Sequence, residues 1–343
     1  MDTPKIRNME EFAALSGISR PTVSKYFNDP GSVRKSTRAR IEAALELYDF
    51  RPNIYAMNQN RRLTKNIGIM VPNLADPFFA EIARRIEGLV IDAGYRSILI
   101  SSHDGPRHEV DNLDALKSLK PAGVLMAPVG RASDKEAVAA FIEDMPTVLF
   151  DSNIEGLGDA FVGHDNKQAT EIMVEYLVIT GEPPVFFEMR NPPNPNAFKR
   201  QTAYVGAMGA LGMTPEIIRI EGKGWDFEEI GYREGLQIIA GRKLPSDTVL
   251  CSNDRIAIGL LAAAYEKGWR VGRGPGFALR IAGHDDHPFA RFTSPSLTTT
   301  AQNYAEIAER AVRKLLGLIE SGERSAERET TLFDGRLVMR QSA

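Results

Sequence analysis

The chain has 343 residues, of which 43% are hydrophobic and 25% are charged, a composition typical of a globular protein with two or three domains. It contains no run of about 18 apolar residues and no apolar signal-peptide core near Met1, so we expect a cytoplasmic protein. Its single cysteine, Cys251, excludes an internal disulfide and a zinc-finger cluster.

The net charge of −3 is the sum of two opposed parts. Residues 1–65 carry 12 Lys and Arg against 7 Asp and Glu, a net charge of +5, which leaves −8 on the remaining residues. A basic head attracts a polyanion such as DNA, whereas an acidic body does not. The split predicts a small nucleic-acid-binding part joined to a larger part with another role.

Apolar spacing predicts three helices in the basic head. The first helix contains Phe12 and ends at Gly17, where glycine suits a tight turn. The second follows at once, with Ser19 as its N-cap and Pro21 in its first turn, and the third spans about 36–48. This order is that of an all-α helix-turn-helix headpiece, although any small three-helix bundle would share it.

The second helix is the candidate DNA reader. Its N-terminal residues would face base edges in the major groove, with Arg20 and Lys25 as donors to guanine and Pro21 as an apolar contact. Hydroxyl and amide side chains around them would bind phosphates, namely Ser19, Thr22, Ser24 and Asn28. A solvated helix face is the alternative for Thr22 and Ser24.

The body alternates short apolar strands with helical stretches. Strands are predicted at 67–71, 97–100, 123–127 and 147–150, and then at 184–187, 217–220, 248–251 and 279–283. This alternation predicts two α/β lobes with parallel, doubly wound sheets. Ligands of such sheets bind where the strands end, and the strand ends here are rich in carboxylate, amide and aromatic side chains. That chemistry suits a polyhydroxylated ligand.

Both parts resemble the lactose/galactose repressor family of bacterial transcription regulators. In the head the resemblance rests on residues 12–28 (FAALSGISRPTVSKYFN), Thr37-Arg38 and Arg51-Pro52-Asn53. The body resembles the periplasmic-binding-protein-like fold that this family uses as its effector sensor. There it rests on Asp76-Pro77-Phe78-Phe79, residues 252–259 (SNDRIAIG), Ala282-Gly283-His284-Asp285-Asp286 and Pro295-Ser296-Leu297-Thr298-Thr299.

The resemblance implies a short hinge helix that forms on operator DNA and lies in the minor groove. Asn53 would be its N-cap and Ala56 its point of closest approach. The family usually has a leucine three residues later, an apolar wedge that bends the duplex, but this chain has Gln59 followed by Asn60. Because glutamine is a poor apolar wedge, we expect a milder bend.

The resemblance also implies an effector site between the two lobes. Carried over position by position, it consists of Phe78, Phe79, Asp151, Asn196, Arg200, Trp225, Asn253, Asp285 and Gln302. Arg200 would be the main cationic donor and Trp225 a stacking wall, whereas Phe79 could equally be a core residue. Residues 190–196 are proline-dense where the family commonly has a Gly-rich turn with serines.

These expectations define the domain organisation. A helix-turn-helix domain spans 1–51, a hinge helix and linker 52–66, and a two-lobed effector-binding and dimerisation domain 67–343. The amino-side lobe is expected at about 67–163 and 292–325, and the carboxyl-side lobe at about 164–291 and 326–343.

Two alternatives remain open. An enzyme is suggested by His284 and His287 and by the glycines of 272–276, but these lack a third metal ligand and the Gly-Lys-Ser/Thr ending of a phosphate loop. The other is a cytoplasmic sugar-binding protein of the same fold. We predict a non-enzymatic repressor of carbohydrate-utilisation genes, without cofactor, metal or membrane partner. It binds a near-palindromic double-stranded operator as a homodimer and responds to a small sugar-like effector.

Overall fold

A computed structural model describes residues 6, 8–28, 30–48, 50, 64–103, 105–193, 195–324 and 327–343, except for the side chain of Asn28. The chain divides into two compact units, Met1–Thr64 and Lys65–Ala343. Within the described ranges, no helix is long and apolar enough to cross a membrane.

The smaller unit consists of three helices and a single 3-10 turn at Pro30–Ser32 among its described residues. The helices are α1 (Met9–Ser16), α2 (Arg20–Asn28) and α3 (Lys35–Tyr48). Gly17 ends α1 with φ of 62°, a left-handed conformation that glycine adopts without strain, so α2 can begin after two further residues. Phe12, Val23 and Ile41 contribute one fully buried side chain from each helix. The predicted helix-turn-helix is confirmed.

The amino-side lobe of the larger unit is built on a six-stranded sheet. Its strands are β1 (Asn66–Val71), β2 (Arg96–Ser101), β3 (Gly123–Met126), β4 (Thr147–Phe150), β5 (Ala160–His164) and β11 (Glu329–Phe333). They pair in parallel in the order β11-β5-β4-β3-β1-β2. Its helices are α4 (Pro77–Asp92), α5 (Pro106–Leu119), α6 (Lys135–Asp144) and α11 (Tyr304–Ser321). The central strands are almost wholly buried because helices cover both faces of such a sheet.

The carboxyl-side lobe repeats this architecture on a four-stranded sheet. Its strands are β6 (Val185–Met189), β7 (Ile217–Ile220), β8 (Thr248–Cys251) and β9 (Arg280–Ala282), paired in parallel in the order β7-β6-β8-β9. Its helices are α7 (Asn166–Thr180), α8 (Pro195–Ala210), α9 (Phe227–Ala240) and α10 (Asp254–Glu266). The two lobes with parallel sheets confirm the predicted fold class.

The structure corrects the predicted division of the C-terminal region between the lobes. The expectation placed all of 292–325 in the amino-side lobe, but β10 (Thr299–Ala301) lies beside β9, with a parallel bridge between Ala282 and Thr298. The expectation placed all of 326–343 in the carboxyl-side lobe, but β11 pairs with β5. Strand β12 (Arg336–Val338), antiparallel to β10, lies on the expected side.

The division differs because the C-terminal region crosses between the lobes twice. The first crossing precedes α11, which packs against α4 of the amino-side lobe. The second follows β11 at Gly335, where an added Cβ would lie 2.6 Å from the Cβ of Ala169. Gln168 fixes this crossing, since its side chain donates to the Gly335 carbonyl at 3.3 Å and accepts from the Gly335 N–H at 2.7 Å.

Helices α9 and α10 cross with their backbones in direct contact. An added Cβ on Gly259 would lie 2.1 Å from the carbonyl oxygen of Glu228, and one on Gly231 would lie 2.4 Å from that of Ile256. No side chain fits at either position. The two glycines therefore set the crossing and with it the position of the first turn of α10, which begins at Asp254.

We expect Gly259→Ala to lower the free energy of unfolding by about 1–3 kcal/mol or more, because the added methyl overpacks this backbone contact. The matched control is Gly209→Ala near the end of α8, where an added Cβ meets no atom within 4 Å. That change is expected to be neutral or to stabilise by up to about 1 kcal/mol. Urea unfolding followed by circular dichroism measures both. Equal stabilities for the two variants would contradict the proposed role of the crossing.

Candidate functional site

The face of α2 that was predicted to read DNA is accessible. Ser19, Arg20, Pro21 and Lys25 are exposed, and Thr22 and Ser24 are half-buried. The hydroxyl groups of Ser19 and Thr22 are hydrogen-bonded to each other at 2.8 Å across the start of the helix.

Arg20 has a partner on the neighbouring helix. Its Nε lies 2.6 Å from Oε1 of Glu10, and 62% and 61% of the two side chains are exposed. An exposed ion pair of this kind contributes little, so the guanidinium can exchange Glu10 for a DNA group at small cost. The predicted hinge residues Asn53, Ala56, Gln59 and Asn60, and the side chain of Asn28, lie outside what the structure describes.

A cavity in the larger unit brings together all nine predicted effector contacts. We call it the interlobe cavity, and it is lined by Asp76, Phe78, Phe79, Asp151, Asn196, Arg200, Trp225, Phe227, Asn253, Asp254, Arg255, Asp285, His287, Pro288, Gln302 and Tyr304. Most of these residues follow the carboxyl ends of strands in one lobe or the other. Seven lining residues were not among the predicted effector contacts: Asp76, Phe227, Asp254, Arg255, His287, Pro288 and Tyr304. Asp76 and Asp254 carried a signal, because both lie in segments that directly follow a predicted strand.

A buried ion pair lies at the centre of this cavity. Arg200 on α8 donates from Nη2 to Oδ1 of Asp285 at 2.5 Å and from Nη1 to Oδ2 at 3.2 Å. Its remaining contacts are the side-chain oxygen of Asn166 at 2.9 Å and the carbonyl of Ser252 at 2.8 Å. Gln302 donates from Nε2 to Asp285 Oδ1 at 2.7 Å. The guanidinium is thus paired twice with one carboxylate and has an exposure of only 1%.

One side of the cavity is an arc of aromatic rings. Ring centroids are 5.2 Å apart between Tyr304 and Phe78, 4.8 Å between Phe78 and Phe79, and 5.8 Å between Phe79 and Trp225. Phe227 extends the arc, 5.5 Å from Trp225. Such a surface suits the C–H faces of a sugar ring and also attracts cations.

Polar contacts bridge the lobes around the cavity, among them the hydrogen bond that the Tyr304 hydroxyl donates to the Asp285 carbonyl at 2.6 Å. Asn196 donates to Asp151 Oδ1 at 2.9 Å, and Lys199 donates to the side chain of Asn153 at 2.9 Å. Arg255 reaches Asp76 at 3.0 Å and also pairs with Glu228 outside the cavity. The volume that water molecules can occupy inside is about 30 Å³, room for about two waters. A monosaccharide is larger than this volume.

Asp151 is the most perturbed carboxylic acid on the amino-side wall. Burial raises its pKa to about 7, while the neighbouring Lys199 acts in the opposite direction. Its backbone has φ of 59°, a left-handed conformation that Asp and Asn tolerate better than most residues. The carboxyl therefore titrates near neutral pH instead of remaining charged throughout.

Three buried polar atoms of the cavity wall have no hydrogen-bond partner in the described part of the chain. They are the indole Nε1 of Trp225, Nε2 of His287 and Oε1 of Gln302. Burial lowers the pKa of His287, and its Nδ1 accepts the N–H of Phe289 at 3.1 Å, so the neutral ring carries its proton on Nε2. The wall thus presents two donors and one acceptor to a ligand.

Residues 190–193, 195 and 196 of the proline-dense segment are described, and the last two contact the amino-side lobe. Pro195 begins α8 and touches Gly130 of the amino-side lobe, where an added Cβ would come within 2.6 Å of Pro195 Cβ. Arg131 stacks over the Phe198 ring at 4.4 Å. Among the described residues, no group of three or more His, Cys, Asp or Glu side chains could hold a metal ion.

Comparisons with known proteins match both units. Residues 8–53 match the family model for bacterial regulatory proteins of the lacI family, and residues 177–343 match that for the periplasmic binding protein-like domain. The chain is 25% identical over 334 residues to the NTD biosynthesis operon regulator NtdR of Bacillus subtilis, covering 97% of this chain and 99% of the relative. It is 27% identical over 336 residues to the HTH-type transcriptional repressor PurR of Histophilus somni, covering 97% and 98%. A solved lac repressor dimer, bound to operator and the anti-inducer ONPF, has a similar fold, with a TM-score of 0.81, 21% identity and 99% coverage of both chains.

Asp151→Asn tests the electrostatics of the cavity. The folded chain keeps a proton on Asp151 up to about pH 7, whereas the unfolded chain releases it near about pH 4, so this carboxyl destabilises the folded state as pH rises between these values. Asparagine removes that titration and still accepts from Asn196. The free energy of unfolding of Asp151→Asn minus that of the parent chain should therefore be about 2–3 kcal/mol larger at pH 8 than at pH 5.

Urea unfolding at both pH values measures this difference. Glu188, whose pKa burial also raises to about 7, titrates in the same range but is present in both proteins, so its effect cancels. A gain in stability that does not change with pH would show that Asp151 is not the buried acid inferred here.

Proposed function

We propose that this chain, which belongs to the lacI family of bacterial regulatory proteins, is a repressor that binds operator DNA through α2 and is controlled by a small effector in the interlobe cavity. One observation supports this proposal: the same chain contains two different units. One is a helix-turn-helix with an exposed basic face on α2, and the other is a two-lobed unit whose strand ends enclose a polar and aromatic cavity. The first part recognises DNA and the second senses a metabolite.

The proposed DNA contacts follow from the exposure of α2. Arg20 and Lys25 donate to base edges and Pro21 makes an apolar contact, as is usual for the first turns of a recognition helix. Hydroxyls at the same end, including the Ser19–Thr22 pair, bind phosphates and set the register. The hinge residues Asn53, Ala56, Gln59 and Asn60 are proposed to contact the minor groove.

The effector is proposed to be a small carbohydrate-like molecule. The Arg200–Asp285–Gln302 network places donors and acceptors side by side, an arrangement that pairs with neighbouring hydroxyl groups. The aromatic arc supplies the apolar wall for a sugar ring. The nine predicted contacts lie within one cavity, which supports this assignment.

The lobes are proposed to transmit the effector signal. Because the cavity admits about two waters as it stands, an effector must alter the contacts Asn196–Asp151, Lys199–Asn153 and Arg255–Asp76. Such a rearrangement changes the position of the amino-side lobe, from which the chain continues to the DNA-binding unit. Linkage then requires that operator DNA change effector affinity by the same factor.

The chain acts as a homodimer on a near-palindromic operator, because two heads related by a two-fold axis read two half-sites. The lac repressor with a similar fold is described as a dimer on its operator.

We further propose that the chain is a cytoplasmic regulator without catalytic activity. The relatives NtdR and PurR are named as a regulator and a repressor, which supports it. His284 and His287, the residues that suggested acid–base chemistry, are buried, and burial lowers the pKa of both.

Selection of DNA from a random duplex library by the purified full-length chain tests the proposed function. We expect an enriched near-palindrome, and we expect Arg20→Ala and Lys25→Ala each to raise the Kd for it by about 5- to 150-fold, which corresponds to a lost base contact of about 1–3 kcal/mol. Fluorescence anisotropy measures the Kd.

Arg84→Ala on α4 is the matched control, because Arg84 is as exposed as Arg20 and is likewise paired with a glutamate, at 67% exposure. It should leave the Kd unchanged. Failure to enrich any sequence would overturn the proposed function, and unchanged binding by both head variants would overturn the assignment of α2 as the reader.

A further inference from the structure

We propose that the effector carries a protonated amine, as an amino sugar or an amino cyclitol does, and that the Asp151 carboxylate receives this ammonium group. The inference rests on the proposed function of the interlobe cavity as the effector site. It specifies the ligand class from the charges, partners and rings of the cavity wall.

The cavity wall has more carboxylates than cations, and its cations are already paired. Four carboxylates line it, namely Asp76, Asp151, Asp254 and Asp285, against two guanidinium groups. Arg200 is bound by both oxygens of Asp285, and Arg255 is bound by Asp76 and by both oxygens of Glu228. A phosphate or carboxylate ligand would have to compete with these carboxylates and would be repelled by them.

Asp151 is the lining carboxylate with the least compensation. Asp254 is satisfied by the hydroxyl of Thr299 at 2.7 Å and by the N–H of His287 at 2.8 Å. Asp151 accepts from Asn196 through Oδ1, while within the described residues its Oδ2 accepts no hydrogen bond and meets no cation at ion-pair distance. The charged groups that act on it are Lys199, Arg200, Asp285 and Asp76. Of these, the Lys199 ammonium is directed to Asn153.

Two independent features of the wall fit an aminated polyol. The aromatic arc places five rings along the cavity, and aromatic rings attract an ammonium group as well as the C–H bonds of a sugar; only the Phe227 ring has a cation of the described residues over it, the Arg255 guanidinium at 5.1 Å. The unpartnered atoms of Trp225, His287 and Gln302 belong to side chains that are at least nine-tenths buried, and they offer two donors and one acceptor. These atoms suit hydroxyl groups, whereas Asp151 suits the cation.

The test compares matched ligands with the full-length chain. D-glucosamine, D-galactosamine and D-mannosamine are each set against the parent hexose, the N-acetyl derivative and the hexose 6-phosphate, and streptamine is set against myo-inositol. Thermal shift ranks the compounds and isothermal titration calorimetry gives Kd. We expect binding by at least one free amine, with affinity at least about tenfold higher than that of its uncharged and phosphorylated counterparts, and a changed Kd for the selected DNA.

Asp151→Asn is expected to weaken binding of that amine by at least about tenfold, which corresponds to about 1.4 kcal/mol. Glu188→Gln is the matched control. It alters another buried acid with a raised pKa, outside the cavity wall, and should leave the affinity unchanged.

The inference is overturned if no amine of the panel binds at millimolar concentration, if a hexose or hexose phosphate binds more tightly than its amine, or if Asp151→Asn retains full affinity. Each of these results leaves the proposed function intact as long as the chain still selects a DNA sequence. Loss of sequence selection would instead remove the proposed function itself.

Discussion

The buried pair of Arg200 and Asp285 is the constraint on which the larger unit depends. A guanidinium with 1% exposure is tolerated in a protein interior only if its charge and its N–H groups are matched. Its partners come from three elements, because Asn166 begins α7, Ser252 follows β8 and Asp285 follows β9. The ends of these elements must converge on one point, so the requirement to satisfy one cation fixes the carboxyl edge of the sheet.

Backbone strain occurs on both sides of the interlobe cavity. Asp151 and Asp285 have φ of 59° and 108°, values that residues other than glycine adopt at an energetic cost. Both carboxylates face the interlobe cavity, one from each lobe. Helix α8 connects them, because Arg200 and Asn196 lie one turn apart on it and contact Asp285 and Asp151 respectively. A ligand that changes one pair therefore shifts the helix that holds the other.

The sequence predicted strands well where the pattern of apolar residues is strong. Buried central strands such as β4 and β8 are continuous apolar runs between turn residues, and their bounds were predicted residue by residue. Strand β11 was not, because an edge strand of sequence ETTLF has half-exposed side chains and little apolar character. Strand β5 was also absent from the prediction, and Gly163 within it weakens the strand pattern.

The residues of the cavity also differ in how well the sequence predicts their positions. Residues that directly follow strands, such as Asp151 and Asn253, could be placed at one edge because the carboxyl ends of parallel strands converge. Tyr304 and Arg255 could not, since the first comes from a helix that crosses back between the lobes and the second depends on the glycine crossing of α9 and α10. The position of Arg255 is a product of tertiary packing at Gly231 and Gly259, which no local pattern encodes.

The contacts between the lobes also determine how large a free-energy change an effector can produce in the equilibrium between lobe arrangements. A hydrogen bond to a charged group contributes about 1.5–3 kcal/mol, and the Arg255–Asp76 pair is of this kind. A ligand can shift the lobe equilibrium only by the difference in its affinity for the two arrangements. Replacing one or two such contacts therefore yields a coupling of the order of 1–3 kcal/mol, the range typical of allosteric proteins. The polar contacts across the cavity are strong enough to define one arrangement of the lobes and weak enough for a small molecule to replace.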